Sequence, residues 1–217
     1  SERPLLVTGS ADKTLKLWNR ETRAPIVTLF TAGADWILWT PQGYFHSSPS
    51  GDRFVGWHVN EGPDAAARFV TARQLKRHLH SPEIVRRAIL TGDANAAARD
   101  LRGKDSELAG LLVNRPLDFG FRVLNDGVPI DGRIEIELLV EEEEAVEPES
   151  FGIFVNDRLV ASLEGRGADG ARPVVSVPVE SGENRIRING FNSHGYLTER
   201  GGFVMNPVTE EGEKKGI

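Results

Sequence analysis

Leu5-Leu6-Val7-Thr8-Gly9-Ser10-Ala11-Asp12-Lys13-Thr14-Leu15-Lys16-Leu17-Trp18 is the stretch on which the fold turns. Two β-prone runs flank Gly9-Ser10-Ala11-Asp12-Lys13, a cluster of turn formers, so the segment reads as strand, turn, strand. Asp12 suits the tight turn because a short carboxylate can accept backbone and hydroxyl hydrogen bonds there. Trp18 offers a large apolar ring with one N–H, suited to filling a gap between neighbouring sheets.

A second stretch, Tyr44-Phe45-His46-Ser47-Ser48-Pro49-Ser50-Gly51-Asp52-Arg53-Phe54-Val55-Gly56-Trp57, aligns with the first without gaps and places Trp57 39 residues after Trp18. Repeat periods of about 40–45 residues belong to β-propeller blades. The match is uneven, since Gly51 stands opposite Asp12 and Asp52 comes one place late.

Thr8 to Asn19 resembles the B-strand, turn and C-strand of the WD-repeat family, with Pro25-Ile26-Val27-Thr28-Leu29-Phe30 as its D-strand. Asn19 replaces the aspartate usual after the tryptophan. The resemblance makes Asp12, Trp18 and Trp57 structural repeat positions. It also implies a degenerate second blade, with Ala34 to Gly43 as inner strand and turn, followed by strands over Tyr44–Pro49 and Arg53–Val59. No inner A-strand precedes Leu5, so the expectation is that further blades come from another segment or another polypeptide, because blades bury faces they cannot cover alone.

Beyond residue 60 the period changes. Ala66, Phe69, Val70, Leu75 and Leu79 lie roughly on one helical stripe. Ser81 as N-cap, Pro82 at the first position, Glu83 in the first turn and Gly92 past the end delimit a helix over Ile84–Leu90. Asp93 or Asn95 could cap a third helix through Leu101, and Ser106–Leu112 reads as a fourth. Arg115-Pro116 then resets the chain to extended structure. Seven short β-prone runs follow: Phe119–Leu124, Ile134–Val140, Phe151–Val155, Arg158–Leu163, Val174–Val179, Arg185–Gly190 and Gly202–Val204. Asn156-Asp157 marks a hairpin, and the whole count suits a β-sandwich. Ser181 to Ile188 followed by Phe191-Asn192-Ser193-His194-Gly195 resembles immunoglobulin-like and fibronectin-like domains.

The expected organisation is mainly β: incomplete WD-type blades over 1–60, a helical connector over 61–114, an immunoglobulin-like sandwich over 115–207 and a charged tail over 208–217. This order resembles the stretch between propeller and peptidase in bacterial proteins that join WD repeats to a caspase-like, metacaspase-type module. The residues behind it are Asp35 to Phe45, Gly56-Trp57-His58-Val59-Asn60 and Ser81-Pro82-Glu83-Ile84-Val85. That resemblance implies a regulatory or scaffolding role, with the remaining blades and a caspase-like domain as protein partners.

Chemistry narrows the field. The chain has 217 residues, 39% hydrophobic and 27% charged, with a net charge of −6. That balance disfavours phosphate backbones and so nucleic acid. No run approaches the about 18 apolar residues of a membrane helix. Cysteine is absent, which removes disulfides and any cysteine nucleophile, and a cytoplasmic setting fits. His46, His58, His78, His80 and His194 show no metal spacing. Ser47, Ser48 and Ser50 near His46 and Asp52 lack the strained elbow of a serine nucleophile. The Glu141–Glu147 cluster reads as a solvated loop, so neither cofactor nor metal is expected. Trp36, Trp39, Tyr44, Phe45, Phe54 and Trp57 read first as blade-core packing; Trp36, Trp39, Tyr44 and Phe45 are also the candidates for an exposed anchor surface, since such rings dominate interface hot spots. Three readings result: a scaffolding module, the regulatory piece of a caspase-like protease, and a carbohydrate-binding sandwich with exposed aromatics.

Overall fold

The computed structural model describes residues 4–63, 66–102, 108–140, 146–165 and 172–206. The acidic run Glu141–Glu144, the start of the fourth expected helix at Ser106 and the tail over 208–217 lie outside these residues. The chain divides into two compact units, Ser1–Arg115 and Pro116–Ile217. Mainly antiparallel β structure builds both.

In the first unit, β1 (Leu5–Gly9), β2 (Thr14–Asn19), β3 (Pro25–Ala32), β4 (Asp35–Trp39) and β5 (Phe45–Ser47) form one five-stranded sheet in sequence order. The separate second blade expected from the repeat is therefore corrected. Gly33, with φ of 62°, and Ala34 turn the chain back at once, so β4 pairs with β3 from Thr28↔Trp39 to Ala32↔Asp35. A two-residue connection of this kind favours hairpin pairing over the start of a new sheet.

The two aligned segments also differ at their turns. The first is the β1–β2 hairpin. In the second, β5 leads into a 3-10 turn at Gly51–Arg53 and then β6 (Gly56–Val59), which pairs with β7 (Arg68–Thr71) and not with β5. Gly51 is required here by close approach: a Cβ on it would sit 2.0 Å from the carbonyl oxygen of Trp36. Asp52 is fully buried. Its carboxylate lies 2.8 Å from the Arg73 guanidinium and 3.2 Å from Lys76 Nζ, and its carbonyl oxygen accepts from the Arg73 N–H. The aspartate one place late thus ties β5 to a segment twenty residues on, where Asp12 serves its own hairpin.

That tie explains a second correction. The helical stripe expected through Leu79 is helical only in α1 (Lys76–Leu79), because Arg68–Thr71 pairs with β6. Phe69 is exposed and Val70 buried, the period-two pattern of a strand. α2 (Pro82–Thr91) carries Pro82 at its start and ends on Gly92 with φ of 72°, the left-handed position a helix C-cap favours. Ser81 occupies the N-cap without a side-chain bond. Asp93 is the residue that caps α3 (Ala94–Arg102), accepting from Ala96 N–H at 2.9 Å. Ile84, Val85 and Ala88 form the buried stripe of α2, which packs on β3 and β5. α4 (Leu108–Val113) follows.

The second unit holds β8 (Phe119–Val123), β9 (Arg133–Val140), β10 (Pro148–Val155), β11 (Arg158–Glu164), β12 (Val174–Pro178), β13 (Gly182–Asn192) and β14 (Leu197–Asn206). They form a β11-β10-β13-β14 sheet and a β12-β9-β8 sheet. Phe119, Ile136, Leu138, Phe151, Ile153, Ile186 and Ile188 from both sheets share one core. Asn156 and Asp157 take φ of 51° and 64° in the β10–β11 turn. Asn184, fully buried, accepts from Glu180 N–H and donates to the carbonyls of Glu180 and Gly182, which satisfies its amide.

Asp52→Ala should lower stability by about 2 kcal/mol, less than for a pair whose cations are also buried, since Arg73 and Lys76 can regain water. Denaturant unfolding checks this, and an unchanged midpoint would contradict the tie just described.

Candidate interaction surface

The β1–β2 hairpin is closed by its own turn. Thr14 N–H donates to Asp12 Oδ1 at 3.0 Å, Thr14 Oγ1 donates to the same oxygen at 2.6 Å, and Ser10 N–H donates to the Thr14 carbonyl at 3.0 Å. The Thr14 hydroxyl and amide hold the Asp12 carboxyl below its ordinary range. Lys13 takes the left-handed conformation, φ 66°. Further along, Trp18 Nε1 donates to Thr8 Oγ1 at 2.9 Å and fixes the half-buried indole on β1.

Pairing runs from Leu5↔Asn19 to Gly9↔Leu15. The bonds Arg20 N–H to Pro4 O and Ser10 N–H to Thr14 O show that the even-numbered residues of β1 make the hydrogen-bonded pairs with β2. Since these pairs alternate with non-bonded ones, Leu5, Val7 and Gly9 direct their N–H and C=O groups to the opposite edge. Among the described residues no strand lies there.

The hairpin is apolar on both faces. Leu6 shares one face with Thr8, Lys16 and Trp18, and Val7 shares the other with Leu15 and Leu17. Leu6 is 49% exposed, Val7 62% and Leu15 47%, so neither face is fully covered. On the Val7 face the row continues through Leu15, Leu29, Leu38 and His46. It ends in an apolar groove of about 370 Å³ between that face and Pro82, Val85, Ile89 and Leu90 of α2.

The aromatic anchors expected from sequence fall elsewhere. Tyr44 and Phe45 are buried, a correction to their reading as exposed anchors: β5 is bridged by His80, and Phe45 O accepts from Ser81 N–H at 2.9 Å. Trp36 and Trp39 are half-buried on opposite faces of β4, with Trp36 edge-on to His46 at 4.9 Å. Asp12 and Trp18 share the hairpin, while Trp57 stands in β6 opposite Val70. Leu6, Val7 and Leu15 lie outside the aromatic set expected from sequence. Their signal is the adjacency Leu6-Val7, because neighbouring strand residues point to opposite faces and both cannot enter one core.

In the second unit Phe151 and Tyr196 are buried, Phe154 lies beneath the Arg187 guanidinium at 4.1 Å, and Phe203 is exposed. Among the described residues no group of three or more acidic or histidine side chains could hold a metal ion. No described helix is long and apolar enough to cross a membrane.

No family model matches the chain and no curated protein does. Among solved structures, part of the chain is similar to the crystal structure of the Clostridium perfringens spore cortex lytic enzyme SleM, with a TM-score of 0.32 and 14% identity. The alignment covers 43% of this chain and 30% of that one. A likeness of that size carries no inference about activity.

His80, which closes the edge of β5, is held below its ordinary value of 6.5 by burial, then by Lys76 and His46, with Asp52 opposing. A depressed histidine pKa means the folded state resists protonation, so stability should be full above pH about 6.5 and fall as pH drops through the window below it. Thermal unfolding across that window is the check. His80→Gln should flatten the slope, and an identical slope would contradict this assignment.

Proposed function

We propose that this chain is a non-catalytic protein–protein interaction and scaffolding module of a WD-repeat protein, in which the outer edge of β1 receives an antiparallel strand from a protein partner. The observation that carries it is the conjunction at β1: outward N–H and C=O groups on Leu5, Val7 and Gly9, with exposed apolar side chains on both faces. Sheet edges in free proteins are normally blunted by charge, proline or a bulge. Leu5–Gly9 contains none of these, and Pro4 stands directly before it. Strand addition supplies affinity through the main chain and specificity through alternate side chains.

The WD resemblance of Thr8–Asn19 gives the same edge its meaning, since it is where the A-strand of a blade would pair. The Asp12 turn and the Trp18–Thr8 bond support that resemblance. The second unit reads as an immunoglobulin-like spacer, supported by its two facing sheets and buried Asn184. Lack of cysteine leaves no thiol nucleophile in the chain.

Lys13 in the turn and Lys16 on β2 serve as reporters. Amine cross-linking in cells of origin, read by mass spectrometry, should join them to one protein segment, and Val7→Pro, which deletes a central outward N–H, should abolish those links. Identical links from wild type and variant would overturn the proposal.

A further inference from the structure

We infer that the groove between the sheet and α2 is a second binding site of the first unit, and that its ligand is an extended acidic peptide segment with apolar residues at alternate positions. The floor is Leu38 of β4 and His46 of β5, and the wall is Pro82, Val85, Ile89 and Leu90 of α2. About 370 Å³ lies open between them. β4 is the fourth strand of the sheet and β5 the fifth, so the groove stands at least three strand spacings, about 14 Å, from β1. It does not depend on the β1 edge.

Dimensions decide the form of the ligand. From Pro82 to Leu90 a helix rises about 12 Å, the reach of about four extended residues. An extended segment turns alternate side chains to one side, so two apolar side chains enter while their neighbours stay at the rim. Leu90 remains 47% exposed on the wall. An unsealed wall of this kind suits a chain segment laid along it better than an enclosed small molecule, which needs most of its surface covered.

Charge decides what those rim neighbours are. The whole chain is at −6, yet residues 1–115 hold 16 lysines and arginines against 12 aspartates and glutamates. The excess sits in the helical part, with eight against three over 68–102. Several of these cations are already engaged: Arg73 and Lys76 hold Asp52, and Arg87 holds Asp100 at 2.6 Å. Arg86 lines the groove and is exposed, and among the described residues no carboxylate pairs with it. A guanidinium beside an apolar channel selects a carboxylate, which it binds through two parallel N–H donors. Glu83 also lines the groove. It lies in the first turn of α2, where the positive end of the helix dipole offsets its charge. Arg86, one turn later, has no such counterweight.

Methyl NMR on the full chain tests this residue by residue. Titration with acetylated, amidated Glu-Leu-Glu-Leu-Glu should shift the methyl signals of Leu38, Val85, Ile89 and Leu90 in a saturable way, and Lys-Leu-Lys-Leu-Lys should leave them in place. Arg86→Glu should weaken the acidic peptide about tenfold and admit the lysine peptide, because an attraction becomes a repulsion. Arg86 is exposed, so this variant should keep the wild-type spectrum before peptide is added. Arg99→Glu removes an exposed cation of α3 that does not line the groove and should change neither affinity.

Equal shifts of the groove methyls by the two peptides overturn the proposal, since the groove would then select no charge. An equal loss of affinity in Arg99→Glu overturns it too, because the attraction would belong to the unit at large. Groove methyls that stay in place with the acidic peptide do the same. Were the signals of Leu6 and Val7 to move in their stead, the groove would be ruled out and the β1 acceptor would stand without it.

Discussion

Every main-chain N–H and C=O in a sheet needs a partner, and β1 spends only half of its own on β2. The other half, on Leu5, Val7 and Gly9, faces outward beside exposed leucine and valine side chains. Water can satisfy the polar groups but not the apolar ones on both sides of them. The proposed acceptor role rests on that combination, and the remainder of the first unit packs behind the hairpin. β3 contributes buried Ile26, Val27 and Thr28. α2 packs on β3 and β5, and Asn19 at the end of β2 donates to the Gly92 carbonyl at 3.1 Å.

The far side of the sheet is anchored by the opposite strategy. Where β1 leaves its edge open, β5 closes its own with His80 and Ser81. The buried Asp52 draws Arg73 and Lys76 against the 3-10 turn that follows β5. Among the described residues, the sheet therefore has one edge held by main-chain bonds and an ion cluster, and one edge with no strand beside it.

Much of this was legible in the sequence, unevenly. The second unit could be read almost strand by strand, since alternation such as Ile134-Glu135-Ile136 and turn residues such as Asn156-Asp157 are local signals. Helix α2 was equally plain from Pro82 and Gly92. The repeat around Trp57 misled because matched spacing reports residue types and not pairing partners: the fate of β5 is decided by Asp52 contacting Arg73 and Lys76, a relation no local window contains. Tyr44 and Phe45 could be read either as core or as anchors, and the contacts of β5 with His80 and Ser81 decide for the core. The hairpin turn at Asp12 was legible, whereas the exposure of Val7 and Leu15 depends on how much of their face of the sheet α2 reaches.

Residue-resolved amide hydrogen exchange on the dilute chain tests the central claim most directly. Leu6 and Thr8, bonded to β2, should be protected, while Leu5, Val7 and Gly9 should exchange at close to unprotected rates. Uniform protection along β1 would mean the edge is already occupied, and uniform exchange would mean the hairpin is not formed; either would contradict the account.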